Sequence, residues 1–266
     1  MKVAHPSRKI GLARVLSKLG YCSRSKAFEL IRNGRVRVNG NIARNPESPV
    51  HLGKDRIEVD QTLLEAAAPV YRMMNKPRGV VTTASDERGR ETVYAYLEKD
   101  LPWVGPVGRL DKASEGLLLL TNDSEWAAKI TAPENHLDKI YHVQVGFRLE
   151  QALLESLTRG VVTKAGEVLR VKHARRLRGG EKNAWIELVL DEGRNRQIRR
   201  IFEGLGIEVL RLVRVAIGNL VLGDLPKGKV RPLTADEKKT LDLLLERRFR
   251  RSSAQAKTAA VESKRP

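Results

Sequence analysis

The sequence predicts an α+β protein in two parts. Residues 9–60 form a small N-terminal domain of two short helices and a small sheet. Residues 70–246 form a larger domain of short, mostly antiparallel strands, with helices on one side and a cleft between two halves. Three observations predict this. Near the start, an apolar stripe at helical spacing gives way to a strong hairpin signal, Asn39-Gly40. Residues 61–69, ending Glu65-Ala66-Ala67-Ala68-Pro69, show neither strand pattern nor turn chemistry and read as a linker. Beyond them, apolar runs of strand length recur between Gly, Asn and Asp.

Residues 1–8 read as a loose basic leader. Leu12, Val15, Leu16 and Leu19 share one helical stripe, and Gly20 suits its end. Arg14 and Lys18, four apart, share a polar face. Ser23 is a good N-cap for a second helix that turns Ala27, Leu30 and Ile31 inward, and Gly34 ends it. Arg35-Val36-Arg37-Val38 alternates as a strand, and Asp55-Arg56-Ile57-Glu58-Val59 adds another. After the linker, Tyr71-Arg72-Met73-Met74 begins a strand, Asn75-Lys76-Pro77-Arg78-Gly79 turns, and Val80-Val81-Thr82-Thr83 follows as a second strand. Residues 83–91 form a charged loop and Thr92 to Leu97 a short helix.

Four leucines and Thr121, bounded by Gly116 and Asn122-Asp123, read as a buried strand. Asp123 or Ser124 caps a helix containing Trp126, Ala127 and Ile130. Lys139 to Val145 alternates as a strand, which puts Tyr141 and His142 on opposite faces. A helix around Ala152 to Leu157 and a strand from Trp185 to Leu190 follow. Asn195 caps a helix whose inner stripe is Ile198, Ile201, Phe202 and Leu205, with Arg196, Arg199 and Arg200 in its first turns. Val209 to Val215 reads as strand. Thr234-Ala235-Asp236-Glu237 is a capping box for a helix that turns Leu241, Leu244 and Leu245 inward. Residues 247–266 hold seven Lys or Arg against one Glu, and predict a disordered tail that adds non-specific affinity for a polyanion.

The formal net charge is +18, with 50 Lys and Arg against 32 Asp and Glu. That balance suits a polyanion, and nucleic acid is the first candidate. Cys22 is the single cysteine, so no internal disulfide can form. No signal-peptide pattern and no bilayer-length apolar run is present, which predicts a cytoplasmic protein with no membrane partner. There is no metal-ligand cluster, no Walker phosphate loop and no dinucleotide fingerprint, so neither metal nor cofactor is expected.

The central stretch is Val107 to Asp123. Its Gly108-Arg109-Leu110-Asp111 loop presents a carboxylate beside a cation, held close to the leucine strand. Alone, Asp111 reads as a turn residue. The whole string, continuing through Ser114-Glu115-Gly116-Leu117-Leu118, resembles the catalytic motif of the ribosomal pseudouridine synthases. Ser114 stands where that family usually has Thr, and Ser124 where it often has Gly. Asn75 to Gly79 resembles a turn beside the family's cleft, and Glu192 to Arg200 its third motif. Leu16 to Gly20, Ser23 to Ala27 and Gly34 to Gly40 resemble the S4-like RNA-binding module. The likeness covers nearly residues 9–245, and it fits small-subunit and large-subunit synthases alike.

The resemblance implies a mixed sheet with the active site in its central cleft, a monomer, and ribosomal RNA as partner. It implies that Asp111 is catalytic, that Tyr141 packs on the target base, and that Arg199 pairs with Asp111. Arg14, Lys18, Arg24, Lys26, Arg35 and Arg37 would give the small domain a concentrated surface for phosphates. Arg109, Arg196 and Arg200 would contact RNA near the chemistry, Arg109 by holding the backbone or filling the space of a flipped uridine. The basic tail favours 23S over 16S rRNA.

Pseudouridine formation breaks the C1′–N1 bond of a uridine, turns the uracil, and joins C5 to C1′. It asks for a carboxylate, a cation to keep it ionised, and a flat surface for the base. Asp111, Arg199 and Tyr141 fit those needs. Attack at C1′, addition to the base and elimination from C2′ all stay open at this level. Two other readings compete: a non-catalytic RNA-binding ribosome-assembly factor, and a glycosidase, which would need a second carboxylate. Glu115 in a turn and Asp123 as a cap are poor candidates for that second group.

Overall fold

A computed structural model describes residues 9–146, 148, 150–180 and 182–262, with the backbone alone from 249 onward. The expected leader, residues 1–8, and the last four residues lie outside it. The chain divides into two compact units. One runs to Tyr71 and takes in residues 97–106 and 120–125; the other comprises the rest.

In the first unit, helices Leu12–Lys18 and Arg24–Arg32 pack on a four-stranded sheet. Ser23 caps the second helix, accepting from the Lys26 amide at 3.1 Å. Leu12, Leu16, Ile31, Val36 and Val59 fill the core. The sheet reaches into the expected linker, because Thr62–Leu63 pairs with Ile57–Val59. The rest of that stretch is held too. The Val70 amide donates to Asn122 Oδ1 at 2.7 Å, and Asn122 Nδ2 donates to the Ala68 carbonyl at 3.0 Å. The domain boundary therefore differs from the expected one. Trp103 and Asn122, far along the chain, belong to this unit through such long-range bonds, which no local pattern announces.

The second unit is built on a mixed, mostly antiparallel sheet. Its path runs His173–Gly179, Ala184–Leu190, Lys139–Val145, Val209–Ile217, Glu115–Thr121, Tyr71–Lys76, Val230–Pro232. Val209–Ile217 and Glu115–Thr121 pair in parallel. Helices Gln151–Arg159 and Gln197–Gly204 bury Leu157, Ile198, Ile201 and Phe202 against Val143, Ile186 and Leu188. The leucine strand is buried along its whole length, as its unbroken apolar run requires.

Three expectations are corrected. Val80 to Thr83 is not a strand: Val81 makes a single bridge to Thr92, and Thr82 turns its hydroxyl to the Leu110 carbonyl at 2.8 Å. The cap of the third-motif helix is Arg196, in a left-handed conformation, and not Asn195. The last helix, Ala235–Glu262, runs through most of the expected disordered tail. Its Ala, Arg, Lys, Gln and Glu are strong helix formers, and no Gly or Pro interrupts before Pro266. The capping box forms as read, with Thr234 and Glu237 bonding each other's amides at 2.8 and 3.1 Å.

Candidate active site

Asp111 lines a cleft of about 820 Å³ in the second unit, together with Arg109, Tyr141, Arg196, Lys139 and Arg214. The loop that presents it is held through five successive carbonyls. Thr82 Oγ1 takes the oxygen of Leu110 at 2.8 Å. Lys76 Nζ donates to the oxygens of Asp111 at 3.2 Å and Ser114 at 2.9 Å. The Gly79 amide donates to Lys112 at 2.7 Å. Arg199 Nη2 donates to Ala113 at 2.9 Å. With its backbone committed this fully, the loop has one conformation, and the Asp111 carboxylate is left facing the cleft at 36% side-chain exposure.

Arg199 is thus not the ion-pair partner that was expected. It is spent on the loop backbone, while Arg196 Nη1 comes within 3.9 Å of Asp111 Oδ2. A carboxylate this exposed keeps much of its hydration. Arg199 still interacts with the carboxylate through space: burial, then Arg196, lowers its pKa, while Asp111 raises it. Arg200 is also corrected: it pairs with Glu167, a surface ion pair, and does not line the cleft.

Tyr141 is half-buried against the helix-packed core and lines the cleft beside Asp111. His142 faces the other way, to Glu187 at 3.2 Å. Gln197, which the sequence reading passed over, is 3% exposed and braces the third motif by donating to Glu192 at 2.7 Å and the Arg170 carbonyl at 3.1 Å.

Neither glycosidase candidate is free. Glu115 is buried and bound by Arg211 at 3.0 Å and Lys227 at 2.6 Å. Burial alone would raise its pKa, but those two cations outweigh burial and hold it below the usual range. Asp123 caps the Glu125 amide at 3.1 Å and accepts from Tyr71 at 2.9 Å.

Lys76 is the residue that sequence reasoning missed. It is fully buried, and burial pushes its pKa from 10.5 down to about 8, against the raising effect of Asp111 and Glu115. The sign of the consequence is fixed. The unfolded chain keeps this proton up to 10.5, so between about 8 and 10.5 it binds more protons than the folded chain. Stability contributed by Lys76 then rises with pH across that window and is lost as pH falls through 8. Lys76→Met has no such proton, so wild type should gain on it in urea midpoint as pH climbs through the window. A gap that stays constant from neutral pH upward would contradict this account.

In the first unit, the six basic residues split. Arg14 and Arg24 are exposed and point to solvent. Lys18 pairs with Glu125, Lys26 with Glu29 and Arg35 with Asp60, while Arg37 donates to the Gly40 carbonyl at 2.9 Å.

Comparison with known proteins bears on both units. A family model described as RNA pseudouridylate synthase matches residues 70–204, and one described as S4 domain matches residues 10–57. The chain is 40% identical over 235 residues to ribosomal large subunit pseudouridine synthase B of Bacillus subtilis (strain 168), covering 88% of this chain and 96% of that one. It is 36% identical over 227 residues to a protein of the same name from Shigella flexneri, covering 82% and 76%. Among solved structures, a crystal structure of pseudouridylate synthase matches with TM-score 0.61 at 30% identity, covering 86% of this chain and 98% of that one.

Proposed function

The chain belongs to the RNA pseudouridylate synthase family, and on that premise we propose that it converts one uridine of 23S rRNA to pseudouridine, with Asp111 as nucleophile. The observation that carries the chemistry is the carboxylate of Asp111, presented to the cleft by a loop whose five carbonyls are all engaged. The large-subunit preference is supported by the names of the relatives. The uridine flips into the cleft at a cost of a few kcal/mol, offset by phosphate contacts. Its uracil stacks on Tyr141. Asp111 attacks C1′, and the C1′–N1 electron pair leaves with the base. The base turns, C5 attacks C1′ and displaces the carboxylate, the C5 proton is lost, and one is gained at N1. Arg196 places a positive charge within 3.9 Å of the Asp111 carboxylate, and Arg109 at the mouth holds the RNA backbone. One cleft holds all these groups, which supports a monomer; an rRNA substrate and a lone cysteine support a cytoplasmic setting.

The test is pseudouridine mapping of 16S and 23S rRNA from cells lacking the protein, complemented with wild type or Asp111→Asn. One 23S site should vanish and return with wild type only. Persistence of every site, or restoration by the Asn variant, would leave a non-catalytic assembly factor as the better account. A loss in 16S rRNA would move the substrate.

The first unit should supply phosphate contacts through its exposed cations. Changing Arg14 and Arg24 together to Ala should weaken RNA binding and reduce the slope of log affinity against log salt by about 1–2. An unchanged slope would remove these two from the RNA surface.

A further inference from the structure

Arg214 stands directly across from Tyr141 on the neighbouring strand. Cross-strand partners have Cβ atoms about 4.5–5.5 Å apart on one face of a sheet. Both side chains line the cleft that holds Asp111. Arg214 is only 6% exposed. Its Nε donates to the Leu117 carbonyl at 2.8 Å, which fixes the guanidinium. Its buried Nη2 has no hydrogen-bond partner among the described residues. A second cation, Lys139, lines the same wall, and burial together with Arg214 lowers its pKa.

A buried donor without an acceptor is costly, and a guanidinium more so. What it would receive has to reach the inner wall beside Tyr141 and carry acceptor oxygens. RNA phosphates suit the exposed Arg109 and Arg196 instead. A flipped uracil brings its O2 and O4 carbonyls inward. When the C1′–N1 bond breaks, the electron pair stays on N1, and the charge spreads to O2 and O4.

We propose that Arg214 is a further catalytic residue, donating to a carbonyl oxygen of the flipped uracil and stabilising the uracil anion that forms as the C1′–N1 bond breaks. This rests on the pseudouridine reading above. The electrons balance without Arg214 changing protonation. Asp111 takes the bond to C1′, the anion carries the pair, and C5 returns it to C1′ as Asp111 leaves. Arg214 binds the anion more strongly than the neutral base, so the interaction lowers the barrier and not merely the ground state.

The test varies the leaving group. Transcripts of the rRNA segment found by mapping are made with uridine or with 5-fluorouridine, whose C5 fluorine makes the base a better leaving group. Loss of the parent nucleoside after digestion reports C1′–N1 cleavage in single turnover. With uridine RNA, Arg214→Met should cleave about 10²–10³-fold more slowly. With 5-fluorouridine RNA the loss should shrink to about tenfold, and RNA affinity should stay within about threefold of wild type in both cases. Equal losses on the two RNAs, or a loss carried by affinity, would overturn the proposal, because a merely structural arginine slows both alike. If Arg214→Met does not fold, Arg214→Lys keeps the charge but loses the planar fork, and the same contrast decides. Wild type inactive on both RNAs would sink the pseudouridine reading itself, and this inference with it.

Discussion

Asp111→Asn should lower the single-turnover rate of pseudouridine formation by about 10⁴-fold or more, while RNA affinity stays within about threefold of wild type. The carboxamide keeps the size and shape of the side chain, and the loop is held by backbone bonds that the change does not touch. What is lost is the negative oxygen at the cleft. No phosphate contact goes with it, so the salt dependence of binding should also be preserved. Asp111→Glu sharpens the test, since it restores the charge but moves it by one methylene. A loop this constrained cannot follow, and misplacement of about 1 Å is enough for about a 10²-fold loss. An Asn variant within tenfold of wild type would dismiss Asp111 as the nucleophile. An Asn variant that no longer binds RNA would make Asp111 a structural residue.

The fold class and the order of elements were legible because local patterns carry them. The helical stripe at Leu12 to Leu19, the Ser23 cap, the leucine strand and the Thr234 capping box each fit a rule that acts over a few residues, and each formed. Asp111 and Tyr141 were legible through a family motif, and the structure brings both to one cleft.

What failed to show in the sequence lies in side-chain assignments across long separations. Arg199 and Arg196 are three apart on one motif, and nothing in the string says which of them faces the carboxylate and which the backbone. The left-handed turn at Arg196 decides it. Lys76 read as part of a turn, since a lysine is almost never fully buried. Its three carbonyl partners come from residues up to 38 positions away. Arg214 lies inside the run Val209 to Val215, which reads only as strand. Only the cross-strand register puts it beside Tyr141. The tail misled for the opposite reason. Its composition is poor in large apolar residues, which argues against a core, but helix propensity needs no core to be expressed.

Gly116→Ala should be the most damaging small substitution in the molecule, costing about 3–5 kcal/mol from backbone strain and overpacking together. Gly116 sits at φ +102, where residues with a Cβ are strained. It also lies where Val209–Ile217 and Glu115–Thr121 meet in parallel, with Arg214 as its direct partner. An added Cβ would stand 2.8 Å from the Arg214 amide nitrogen and nearer still to its carbonyl oxygen, and backbone cannot rotate away. The strands would have to separate at the point that joins the Asp111 loop to the wall carrying Arg214. Gly79→Ala is the control. Gly79 has φ +96 but nothing within 4 Å of an added Cβ. It should lose only the strain, about 1–2 kcal/mol. The difference between the two variants in urea denaturation isolates the clash, and a folded domain with a total stability of about 5–15 kcal/mol will show it. If Gly116→Ala proves no less stable than Gly79→Ala, the two strands can slip past the added methyl. The parallel contact would then not be what holds the two sides of the cleft in register.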